Sequence, residues 1–237
     1  MTNRRQQFIW ISIILIFFVS SCAKTGSSLT SPNNTGSYVS LMNQAPYSGA
    51  ADVYFNGTQV TPSGGIGPEQ FSSAYGGLKP GTYTVDFKKA GTDSLLYELP
   101  AASYDSLAFY TLILYNTAPQ SPTVQAVRIT DDFSSVTPSN AYCRFFNLSP
   151  DMANVTLYMD GTVFEPNRSP ADNVSNPGFD VFQPLAAQVY TMQVKNASDS
   201  VLATLNSYPL TAGEVYTIFL EGTSKAGVIL TVLPFAD

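Results

Sequence analysis

Along residues 82–88 (TYTVDFK), Tyr83, Val85 and Phe87 alternate with Thr82, Thr84, Asp86 and Lys88. Along 190–195 (YTMQVK), Tyr190, Met192 and Val194 alternate with Thr191, Gln193 and Lys195. Successive side chains of a strand point to opposite faces, so this period of two predicts strands with one dry and one wet face. The stretches VYFNGTQV (53–60) and LYMDGTVF (157–164) place Asn-Gly and Asp-Gly between short apolar runs. Both dipeptides tolerate the positive φ of a tight two-residue turn, which predicts hairpins. Two further runs, AFYTLILY (108–115) and VYTIFL (215–220), are almost continuously apolar. They suit central strands of a sandwich core. No helical periodicity of useful length appears.

The pattern occurs twice. YVSLMNQAP from Tyr38 matches YCRFFNLSP from Tyr142, and VYFNGT matches LYMDGT, both at an offset of 104 residues. LKPGTYTVDFK from Leu78 meets LAAQVYTMQVK from Leu185 at 107, and YTLILYNT meets YTIFLEGT at 106. Order is kept while offsets drift by a few residues, as loop insertions produce. Turn residues between about seven short strands in roughly 95 residues predict an immunoglobulin-like sandwich. The expected organisation is all-β, with two tandem β-sandwich domains at 38–130 and 141–237 joined by a linker at 131–140.

The amino-terminal segment reads differently. Arg4 and Arg5 precede an apolar run at 8–19, broken only by Ser12 and followed by Ser20 and Ser21. That run is shorter than the about 20 apolar residues needed to span a bilayer. It has the three parts of a cleaved secretory signal, expected at 1–21. The residues VSSC, ending at Cys22, resemble the lipobox of bacterial lipoproteins. The resemblance implies a diacylglyceryl group on the Cys22 sulfur, cleavage before Cys22 and acylation of the new amino terminus. Several acyl chains on one residue give lasting membrane attachment. The Ser-, Thr-, Asn- and Gly-rich segment 22–37 then reads as a flexible tether about 20 Å in reach. The expected location is the cell envelope, at the outer membrane of a Gram-negative bacterium, with the periplasmic or surface face left open.

Composition narrows the chemistry. Without the signal, nine basic residues face 17 acidic ones, a net charge of −8. Nucleic acid and anionic headgroups need a basic footprint, so both are disfavoured as partners. The chain has no histidine, and its single tryptophan, Trp10, lies in the signal. Cys143 is the one cysteine besides Cys22. A histidine base, a histidine metal ligand and Ser-His-Asp or Cys-His arrangements are therefore excluded. No motif singles out a carboxylate pair for hydrolysis, and no catalytic residue, metal or cofactor is expected.

The recurring pattern, aromatic-x-x-x-x-N-x-x-P, then V/L-Y-x-N/D-G-T, then L-x-x-G-x-Y-T-V, then Y-T, resembles the bacterial domain of unknown function 4397. The resemblance covers nearly all of 38–234, and the second copy departs at Gln188, where the first has the turn glycine Gly81. It implies β-sandwich modules in secreted or lipid-anchored envelope proteins, and it brings no catalytic residues. Function then falls to the loops. Segments 61–77 and 165–184 differ most between the copies and carry Phe71, Tyr75, Phe179 and Phe182, an aromatic surface for a partner unless these rings tuck against the sandwich edge. Cys143, at a strand position equivalent to Val39, reads as a buried small hydrophobe. Asp131 and Asp132 read as a solvated linker pair rather than calcium ligands. Asp-Ser-aliphatic triplets begin at Asp93, Asp105 and Asp199 and resemble an O-glycosylation acceptor pattern. The expected function is a non-catalytic scaffold or protein-recognition module, with glycan binding or adhesion at the surface as the alternative.

Overall fold

A computed structural model describes residues 35–235, so the signal, the lipobox and most of the tether lie outside the described residues. Among the described residues there are seventeen strands. In the first half these are β1 (Ser37–Gln44), β2 (Ala51–Phe55), β3 (Thr58–Gln59), β4 (Gln70–Phe71), β5 (Gly76–Leu78), β6 (Gly81–Lys89), β7 (Leu95–Tyr104), β8 (Phe109–Asn116) and β9 (Val124–Asp131). The second half supplies β10 (Ala141–Asn147), β11 (Val155–Met159), β12 (Thr162–Arg168), β13 (Gln183–Leu185), β14 (Val189–Lys195), β15 (Val201–Pro209), β16 (Val215–Thr223) and β17 (Gly227–Phe235). Two short 3₁₀ turns, Asp172–Val174 and Pro177–Asp180, lie between β12 and β13.

Each half is a two-sheet sandwich. One sheet runs β4-β1-β8-β9 with β5 also on β1, and it faces β3-β2-β6-β7. The second half repeats this as β13-β10-β16-β17 facing β12-β11-β14-β15. The sandwich is the architecture expected from the pattern, and its strand order is its own. The first strand of each half pairs in parallel with the strand before the last, β1 with β8 and β10 with β16.

The expected turns form for the expected reason. Asn56 and Asp160 have φ of 46° and 48°, followed by Gly57 and Gly161 at 77° and 78°. The side chains add a second function: Asn56 Oδ1 accepts from the Thr84 amide at 2.9 Å, and Asp160 Oδ1 accepts from the Thr191 amide at 2.8 Å. Each turn is thereby tied to the neighbouring strand. Gly81 lies at the start of β6 without positive φ, so the Gln188 found in the second copy needs no special backbone there.

Burial divides the sheets. The strands β6, β7, β14 and β15 alternate or are mostly exposed, whereas β1, β10 and β16 are buried along their whole length and β8 at all but its first residue. One face of each buried strand fills its own sandwich: Val39 and Leu41 with Leu112 and Leu114, and Cys143 and Phe145 with Ile218 and Leu220. The other face meets the opposite half in a third cluster of Met42, Ile113, Ile129, Phe146, Leu148, Phe219 and Leu233. The molecule is thus a four-layer stack, with the β1 and β10 sheets inside. Strand register makes Met42 equivalent to Phe146, Ile113 to Phe219 and Ile129 to Leu233. The halves therefore pack through the same face of each, an internal analogue of a two-fold dimer contact.

Gly222 sits in β16 with φ of 99°, opposite Val228. A Cβ there would press into the Gly227 carbonyl oxygen and lie 3.0 Å from Val228 Cα, both backbone atoms that cannot swing away. Gly222→Ala is expected to destabilise the chain by more than about 1 kcal/mol, the scale of backbone-entropy effects alone. The loss should appear as a lower urea midpoint with unchanged slope.

Candidate functional site

Charged side chains rarely enter a protein interior unpaired, so the two arginines with no exposed surface, Arg144 and Arg168, mark where the interior is chemically unusual. Arg144 is the charged residue of β10, between Cys143 and Phe145, which turn the other way into the core. Strand alternation sends it into the contact between the halves. Its Nη1 lies 2.6 Å from Asp131 Oδ1, with both side chains fully buried. Nε donates to Thr217 Oγ1 at 2.8 Å, Nη2 to Thr111 Oγ1 at 3.4 Å and Nη1 to the Asp180 carbonyl at 3.3 Å. Asp131 Oδ2 accepts from Thr111 Oγ1 at 2.6 Å and from Tyr75 Oη at 2.7 Å. Burial and the Asp131 charge push the Tyr75 hydroxyl pKa far up, so it stays a donor. Phe182, Phe146 and Phe235 surround the guanidinium at 4.3, 4.9 and 5.6 Å.

Arg168 forms a second cluster in the second half. It contacts Asp172 at 2.8 Å and Glu165 at 3.3 Å, and donates to the Phe145 carbonyl at 2.8 Å. The Phe179 ring covers it at 3.7 Å, and Gln183 donates to Glu165. Asp180 feels both arginines; burial pushes its pKa up to about 6, against the pull of Arg144 and a hydrogen bond from Asn173.

The loop aromatics therefore do not make a free surface together. Tyr75 and Phe182 wall the Arg144 pair, and Phe71 meets Phe219 edge-on across the two halves at 5.6 Å. Phe179, half-buried, caps Arg168. Asp131 is corrected from a solvated linker residue to the buried end of β9, because its charge has Arg144 as partner; Asp132 stays exposed and caps Ser134 N at 2.8 Å. The linker is itself packed, with Phe133 and Val136 against Tyr142 and Phe182. Cys143 is fully buried, and burial pushes its thiol up to about 12, which leaves it un-ionised and unreactive. All three Asp-Ser-aliphatic triplets are exposed. Cys22 lies outside the described residues.

Sequence reading missed Arg144, whose signal was one cation in an otherwise apolar strand. It also missed why the recurrent asparagines and tyrosines recur. Asn43 donates its amide to the Gly49 and Ile66 carbonyls at 3.0 and 2.9 Å; Asn147 does the same to Met152 and Arg168. The Tyr110 hydroxyl accepts from the Asp105 amide and Tyr216 from Thr211, each five residues upstream, as in the tyrosine corner of immunoglobulin domains. Tyr142 repeats the arrangement with Thr137 in the linker.

Compared with family models, the chain matches the one described as Domain of unknown function (DUF4397) twice, over residues 37–158 and 141–237. No curated protein matches it.

Two outcomes follow from the charges. Removing either member of a buried pair strands the other, at about 3–5 kcal/mol, whereas apolar replacement of both is often neutral. Arg144→Met and Asp131→Leu should each lower stability by that amount in urea titration, and the double variant should recover most of the loss. The raised pKa of Asp180 means the folded state binds its proton more tightly than the unfolded chain, whose ordinary value is 3.8. Its contribution is fully present below that value and is lost as pH rises through about 6. Glu165 and Glu221, raised chiefly by burial, act in the same direction. Urea midpoints measured against pH should fall across that window, and Asp180→Asn should flatten the fall and raise stability at pH 7.

Proposed function

We propose that this chain, which belongs to the DUF4397 family, is a lipid-anchored envelope protein acting as a non-catalytic scaffold or protein-recognition module. One observation carries the reading: the recurrent asparagines, the Asn/Asp of the turns and the corner tyrosines of the repeated pattern make their bonds inside the fold. Asn43 and Asn147 hold loops, Asn56 and Asp160 tie turns to strands, and Tyr110 and Tyr216 close corners. The pattern therefore describes a body to be built rather than a reaction to be run. The interior charges support it, since Arg144 and Arg168 are satisfied by protein groups. Glycan capture needs free aromatic platforms, and three of the four loop rings are taken up between the halves.

In this reading Cys22 carries the acyl chains and the tether holds the four-layer body off the membrane. Cys22→Ala should move the protein from the membrane fraction to the soluble one and abolish incorporation of labelled palmitate. Amine crosslinking of intact cells should give a discrete protein adduct of the anchored form, while a glycan array stays silent. A variant that remains membrane-bound refutes the anchor. Glycan binding lost on Phe179→Ala would replace the scaffold reading with the alternative.

A further inference from the structure

A sheet edge exposes unpaired N–H and C=O groups, and monomeric proteins blunt such edges with charge, proline, bulges or short strands. Nearly every edge here is blunted. The strands β3, β4, β5 and β13 are two or three residues long, and β13 includes Pro184. β7 contains Pro100 and breaks register with β6, and β15 ends in Pro209, has Ser207 at φ 54° and breaks register with β14. β12 breaks register with β11 and carries Glu165, Pro166 and Arg168. β9 is regular, but Arg128 points inward from it, over Tyr104 and Tyr110, and donates to the Ser103 carbonyl of β7.

The exception is β17. It pairs with β16 over nine consecutive positions without a break, and its sequence GVILTVLPF has no charged residue and no proline before Pro234. Among the described residues no strand pairs with its second edge. The first half supplies an internal control. Register makes β9 the counterpart of β17, with Gln125 equivalent to Ile229 and Arg128 to Val232. The polar devices of one copy are thus absent at the same edge of the other, and Ile229 is 60% exposed.

We infer that β17 is an association edge, and that its occupant is β17 of a second copy of this chain, paired antiparallel about a two-fold axis. Self-pairing sets neutral strand against neutral strand, whereas the same contact through β9 would bring Arg128 towards Arg128. Antiparallel pairing centred on Ile229 sets the two Ile229 side chains directly opposite each other on one face, so that each covers the other. The contact closes after two copies, because the far edge of each joined sheet is the short, proline-bearing β13. The inference rests on the sheet edges alone; only the membrane setting of its test follows from the proposed anchor.

The test uses the full chain in density-matched detergent, followed by sedimentation equilibrium. Wild type should sediment as two chains and Ile229→Lys as one, since the exposed lysine adds like charge to the contact without entering the core. A Gln125→Lys control on β9 should stay dimeric. A single cysteine at 229, oxidised in intact membranes, should crosslink, and a single cysteine at Thr130 should not. A wild type that sediments as one chain overturns the inference. So does a dimer that survives Ile229→Lys without crosslinking through β17.

Discussion

Four strands in this molecule, β1, β8, β10 and β16, have almost no face left for water, and that constraint organises everything else. An antiparallel sandwich ordinarily buries one face of each sheet and wets the other. Here the inner sheets are dry on both sides because each half uses the other as its second wall. Each large apolar side chain so buried is worth about 1.5–3 kcal/mol relative to exposure. The two halves are therefore better understood as one packed body than as beads on a string, and the packed linker, with Phe133 against Phe182, reinforces this.

Within that apolar contact lies one ion pair, and it breaks the internal symmetry. Thr111 and Thr217 are equivalent and both serve the pair, but Arg144 occupies the position of Ser40, and Asp131 that of Phe235. Taking two charges out of water costs several kcal/mol per ion, recovered only in good geometry with the remaining donors and acceptors satisfied. A contact made of Met, Ile, Leu and Phe alone could slide by a strand repeat at modest loss. A slide here would leave a guanidinium among phenyl rings without its carboxylate. The pair thus penalises any alignment of the two halves that separates Arg144 from Asp131.

The same economy extends to the residues that define the family pattern. Side-chain amides, carboxylates and phenols at recurrent positions satisfy backbone groups in loops and turns, which buried polypeptide must have satisfied somewhere. A pattern built this way is reproduced wherever the fold is, whatever the module contacts. The two halves differ most in the long loops and at the outer strand of each inner sheet, and under the proposed recognition role that is where specificity would reside.

Much of the fold was legible from sequence, because strand period, turn chemistry and internal repetition are local properties. Alternation at Tyr83, Val85 and Phe87 reports a half-wet strand wherever it stands, and Asn56-Gly57 turns the chain by its own backbone preferences. What the continuous apolar runs at 108–115 and 215–220 touch was not legible: hydrophobicity records that a face is dry, not which surface dries it. The loop aromatics show the consequence. Tyr75, Phe182 and Phe71 look available in the sequence, and only the stacking of the halves draws them inside. Asp131 and Arg144 were likewise unremarkable thirteen residues apart, until strand alternation and the meeting of two sheets put their charges in contact. The sequence by itself determined the strands, the turns and the repetition of the pattern; only tertiary structure decided which buried surfaces face each other, because that choice depends on contacts between distant segments rather than on any local preference.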